Sequence, residues 1–96
     1  MNLNKRIAEK KGLRVAGTDL YYAPIPDYIN DPVRILELQD ELLEDGWILT
    51  KNYSIYEWSK EEREFKGILV RAKEHSIENK HYGTATAMAW LEAFGG

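Results

Sequence analysis

Trp47-Ile48-Leu49-Thr50-Lys51-Asn52-Tyr53-Ser54-Ile55-Tyr56-Glu57-Trp58 and, further on, Ile68-Leu69-Val70 decide the architecture. The first stretch is too rich in Tyr, Ile and Trp to be a loop, because such side chains suit a pleated, half-buried surface. A strand with one wet face alternates apolar and polar positions, whereas Trp47-Ile48-Leu49 and Ile68-Leu69-Val70 put large apolar side chains on both faces. Both faces at the sheet centre then need cover, and helices are the elements available to give it. The expectation is an α/β chain of the α+β kind: a three-layer α-β-α sandwich with a small, mostly antiparallel sheet. The helices at 32–45 and 84–94 are distributed over its sides, and placement on opposite sides is open.

Working outward, the apolar phase falters at Asn52 to Ser54, where a bulge or a break into two strands fits. Ser59 to Glu62 is the expected hairpin tip, and Phe65 to about Lys73 the returning strand. Upstream, Asn30 or Asp31 caps a helix that carries Pro32 in its first turn, where the missing N–H costs nothing. That helix places Ile35, Leu38 and Leu42 on one side and Arg34, Glu37, Glu41 and Glu44 on the other, and Gly46 stops it. An opening helix over about 3–11 pairs Leu3 with Ile7 and ends at Gly12. Leu13 to Ala16 suits a brief edge strand. Residues 18–30 form a long loop, since Pro24 and Pro26 forbid a regular ladder. The closing helix runs from about Thr84, its expected cap, to Phe94, and Gly95 ends it.

Ninety-six residues without repeat, low-complexity tract or linker make one domain, 1–96. There is no cysteine, which excludes disulfides, thiolate metal sites and a cysteine nucleophile. No run of about 20 apolar residues is present to cross a bilayer, and the start, Met1 to Lys11, lacks the apolar stretch of a secretory signal. A cytosolic protein with no membrane partner is expected. The net charge of -3 hides an asymmetry. Residues 1–16 carry Lys5, Arg6, Lys10, Lys11 and Arg14 against Glu9, while residues 17–50 carry Asp19, Asp27, Asp31, Glu37, Asp40, Glu41, Glu44 and Asp45 against Arg34. Five cations on a short end make a poor version of the basic stripe that displaces phosphate counterions, so nucleic acid is disfavoured as a partner.

Four segments carry a family resemblance: Asn4-Lys5-Arg6-Ile7-Ala8-Glu9-Lys10, Asp27-Tyr28-Ile29-Asn30-Asp31, Leu42-Leu43-Glu44-Asp45-Gly46-Trp47, and the closing Thr84 to Gly95. In this order and spacing the chain resembles phage ABA sandwich domain proteins, small proteins of phage and prophage genomes named for their helix-sheet-helix layering. The resemblance implies that fold, a phage origin and hence the cytoplasm of an infected or lysogenic bacterial host. It brings no active site and no functional residue.

The inventory for catalysis is thin. His75 and His81 are the only histidines, six apart, at no spacing that makes a zinc pair, and Ser54, Ser59 and Ser76 lie in no nucleophile elbow. No catalytic residue, metal ligand or cofactor is therefore assigned. Binding surfaces are better represented. In His81-Tyr82-Gly83-Thr84-Ala85-Thr86 a helix start offers backbone N–H groups beside the hydroxyls of Thr84 and Thr86, with His81 for charge and Tyr82 for stacking. The ordinary alternative is a plain Thr cap. Tyr21, Tyr22 and Tyr28 lie on the long loop, either as contact area or as cover for the sheet edge. Arg71 and Lys73 recur at period two with His75, facing phosphates or simply water.

These residues point to a non-catalytic binding module, which the resemblance implies is a phage accessory protein, with counter-defence as an analogy. Two mechanisms compete: sequestering a small anionic or nucleotide-like ligand at the Gly83-Thr84 helix start, or blocking a host protein with the acidic face of Glu37, Glu41 and Glu44. A virion or assembly component and, behind it, a small enzyme are the alternatives. A homo-oligomer is left open.

Overall fold

The computed structural model describes residues 2–13, 24–67 and 69–95, without the side chains of 64–66, 69–71 and 73. Among them the elements run α1 (Leu3–Lys10), α2 (Pro32–Glu44), β1 (Ile48–Asn52), β2 (Ile55–Lys66), β3 (Leu69–Asn79) and α3 (Tyr82–Phe94). The strands make an antiparallel meander in the order β1-β2-β3. This is the α+β class with a small antiparallel sheet that the sequence predicts. The expected strand at Leu13 to Ala16 and most of the 18–30 loop lie outside the described residues.

Local chemistry explains where the elements begin and end. The Asn2 and Asp31 side chains cap α1 and α2 by accepting from Lys5 N and Val33 N, and Pro32 opens α2 as anticipated. Gly12 and Gly46 follow these helices at φ 78° and 94°, a left-handed geometry that a side chain disfavours. Of two strand boundaries, the break at Asn52 to Ser54 follows expectation and the hairpin tip does not. Asn52 to Ser54 holds a complete reversal between β1 and β2, with Tyr53 at φ 57°. Ser59 to Glu62, expected as a hairpin tip, lies inside β2, and the tip falls at Gly67, φ 64°. Lys60 and Glu62 are tolerated inside the strand because both are half-buried and paired: Lys60 Nζ lies 3.0 Å from Asp45 Oδ2 and 3.6 Å from Glu62 Oε1.

The core lies on one face of the sheet. Trp58 of β2, Leu38 and Leu42 of α2, Ile7 of α1, Tyr28 and the α3 residues Ala85, Ala87, Ala89, Trp90 and Leu91 form a single buried cluster with Trp47. Burying each of the leucines contributes roughly 1.5–3 kcal/mol. α3 packs on β2 and β3, and α1 and α2 pack on α3. The described helices thus share one side of the sheet. Trp47-Ile48-Leu49 follows from the same geometry: Trp47 is buried and Leu49 half-buried on the helix side, while Ile48 is 62% exposed on the other. Around Ile48 that second face is polar and wet. Thr50, Glu61, Glu74, Ser76 and Glu78 are exposed on it, so β2 and β3 alternate after all. The companion triplet at 68–70 lies outside the described side chains.

Candidate functional site

The helix start at 81–86 is the first place to look for a ligand, and the chain itself takes up several of its polar groups. His81, rather than Thr84, caps α3: Thr84 N donates to His81 Nδ1 at 3.2 Å, and His81 N donates to Asn79 Oδ1 at 2.9 Å. Gly83 is buried against the turn at 28–30, where an added Cβ would run into the Ile29 carbonyl. Thr86 is fully buried, and its hydroxyl accepts from Trp58 Nε1 at 3.0 Å and donates to the Tyr82 carbonyl at 2.9 Å. Tyr82 is half-buried with its ring edge-on to Tyr56, 5.2 Å between centroids. Burial, with the charges of Tyr56 and Asp40 behind it, raises the Tyr82 phenol above its usual value. His81 and Thr84 remain at the rim.

Tyr28 is core. It is buried, its N–H donates to Asn4 Oδ1 at 2.8 Å, and desolvation, followed by the nearby Glu37, raises its phenol. Tyr21 and Tyr22 lie outside the described residues. Arg71 and Lys73 stand on β3 opposite Glu64 and Glu62, and their side chains fall outside the description. The structure therefore brings His81, Tyr82, Gly83, Thr84 and Thr86 together as a packed helix start, with Tyr28 in the core near it.

A different constellation forms between α2 and α3. Glu41, Glu44 and Asp45 face Trp90 and Phe94 across a shallow groove of about 300 Å³. Trp90 Nε1 donates to Glu41 Oε2, 2.6 Å away, and the same carboxylate receives Lys11 Nζ at 3.1 and 3.2 Å. That ammonium also sits 5.3 Å from the centre of the Trp90 ring. Phe94, 42% exposed, leans on Trp90 at 5.3 Å and 44°. Asp45 Oδ2 accepts from Trp47 Nε1 at 3.1 Å and from Lys60 at 3.0 Å. A fixed carboxylate beside an aromatic face is the chemistry that holds a cation, by charge and by the ring quadrupole together.

The sequence flags Glu41 and Glu44 as part of an acidic face but leaves Trp90 and Phe94 undecided between core and interface. The signal is present in the spacings, since Glu41, Glu44 and Asp45 share a helical face at i, i+3, i+4, as Trp90 and Phe94 do at i, i+4. That the two faces meet is a tertiary fact. Among the described residues no group of three or more His, Asp or Glu is placed to hold a metal ion, and no helix is long and apolar enough to cross a membrane. Compared with known proteins, the chain matches no family model, no curated protein and no solved structure.

Proposed function

We propose that the chain is a non-catalytic binding module, a phage accessory protein working in the host cytoplasm, and that it holds a cationic group of a host protein in the α2–α3 groove. The phage setting rests on the four-segment resemblance, and counter-defence on analogy with other small phage proteins. Of the two mechanisms open from the sequence, blocking a protein is favoured over sequestering an anion. At the helix start that an anion needs, Thr84 N is taken by His81, the Ile29 carbonyl crowds Gly83 and the Thr86 hydroxyl is buried. The observation that carries the reading is Lys11, whose ammonium lies against both Glu41 and the Trp90 ring. It displays the kind of group the groove accepts, and a partner's arginine, planar and more weakly hydrated, is the better fit beside Phe94.

The test is a titration with arginine-containing and glutamate-containing peptides, followed at the Trp90 indole N–H by nuclear magnetic resonance, with a thermal-shift screen of nucleotides in parallel. Arginine peptides are expected to move Trp90, and Glu44→Lys to abolish the response. No response to any cationic peptide at saturating concentration overturns the reading. A nucleotide that raises the melting temperature restores the sequestering mechanism in its place.

A further inference from the structure

The open face of the sheet carries a second surface. Across the β2–β3 ladder Glu57 stands directly opposite Glu78 and Glu61 opposite Glu74, with Ser59 facing Ser76 between them. All of these but Glu78, with Ile48, Lys60 and His75, line a shallow concavity of about 430 Å³. Like charges directly opposite one another on a sheet face are destabilising, and this face has two such pairs in succession. Side-chain hydrogen bonding to Glu57, followed by the charge of Glu57, raises the Glu78 carboxyl above its usual value. Arg63, 3.3 Å from Glu61, offsets part of one pair. The remaining strand cations described on the sheet lie on the helix side: Lys60 reaches Asp45, and Lys51 lies over Tyr56.

The complementary surface is on the same molecule but cannot reach this one within it. α1 presents Lys5, Arg6 and Lys10 to solvent against Glu9, and it packs on α3, on the helix side of the sheet. Arg6 there shares a groove with Ile77, Met88 and Glu92. The geometry points to head-to-tail self-association, in which the basic face of α1 from one copy docks on the open glutamate face of β2 and β3 of the next. A face-to-face pairing of two sheets would set the same glutamates against each other, so the contact joins two different surfaces. Such a contact repeats from copy to copy unless the rotation closes a ring. Ile48, on the neighbouring β1, supplies apolar area beside it.

The experiment is sedimentation of the full chain across concentration, at about 0.02 M and about 0.5 M salt, which shortens the screening length severalfold. At low salt the mass is expected to rise above 11.1 kDa with concentration, and at high salt to return to it. Two charge-reversed variants make the assignment. Glu74→Lys with Glu78→Lys spends the sheet face while creating favourable pairs with Glu61 and Glu57, so the variant stays folded. Lys5→Glu with Arg6→Glu spends α1 and places acid in the first turn of a helix, where it is tolerated. Each variant alone should remain monomeric, with circular dichroism unchanged. Their equimolar mixture should stop at a one-to-one complex, since one partner keeps a working helix and the other a working sheet. A wild-type chain that stays monomeric at low salt overturns the inference, as does association that survives either reversal or a mixture that stays monomeric. None of the four substitutions touches the α2–α3 groove, so this result and the peptide titration fail independently.

Discussion

The indole N–H of Trp58 donates to the hydroxyl of Thr86 at 3.0 Å, joining the first third of β2 to the second turn of α3 inside the core. Both residues are fully buried. The hydroxyl in turn donates to the Tyr82 carbonyl, so each polar atom of the pair is satisfied without water. Thr86→Val keeps the shape and leaves the indole N–H without an acceptor, which costs about 1–3 kcal/mol. Trp58→Phe removes the donor and leaves a gap. In a denaturation cycle the double variant should lose less than the sum of the two single losses. Strict additivity would show that the two groups do not act together.

Gly83 allows α3 to begin directly against the Ile29 backbone. Gly83→Ala is expected to destabilise the protein more than any other single glycine-to-alanine change among Gly12, Gly46 and Gly83, because the obstructing atom is a backbone carbonyl with little freedom to move. The loss should exceed about 2 kcal/mol in denaturant unfolding. A near-neutral result would mean that the helix start is not seated on the 28–30 turn.

His81 caps α3 through a ring nitrogen, a role usually taken by Ser, Thr, Asp or Asn. His81→Ala should cost about 0.5–2 kcal/mol and His81→Asn or His81→Ser should recover most of it. Equal losses in all three would assign the histidine some task other than capping.

Asp27 holds the turn that leads into α2. Its Oδ1 accepts from Ile29 N at 3.1 Å, Asn30 N at 3.0 Å and Asn4 Nδ2 at 3.4 Å. The backbone donors of Asn30 and Ile29, in that order, hold the carboxyl below its usual value. The unfolded chain, with its ordinary carboxyl near about 3.9, therefore binds more protons than the folded one in this range. The stabilisation is complete above that value and is lost as the pH falls through the lower folded value. Asp27→Asn keeps an acceptor oxygen without a titrating group, so its melting temperature should fall less than the wild type's between neutral pH and about pH 3. Parallel curves would place the acid sensitivity elsewhere.

How much of this was legible in the sequence varies with the distance over which the signal acts. Asp31-Pro32 at the start of α2 and Gly46 at its end were, because caps and breakers are local. The Ser59 to Glu62 stretch was not, since Lys60 and Glu62 look like turn residues until Asp45 and His75 are seen beside them. His75 sits with Nε2 and Nδ1 each 3.7 Å from a carboxylate oxygen, of Glu62 and Glu92 respectively, a neighbourhood drawn from three elements. Thr84 was the obvious cap by residue type, yet Asn79 orients His81 into the position instead. The candidate groove was half legible. Its carboxylates stood out on one helix, and its aromatic wall became recognisable only once α3 was placed against α2.

α3 touches α1, α2, β2 and β3, and it is the last of these elements in chain order. During synthesis the earlier helices therefore emerge before the element they pack on, and the core closes only when residues 82–94 have left the ribosome. Nascent chains stalled before Tyr82 should be protease-sensitive throughout, and protection should arrive in a single step rather than element by element.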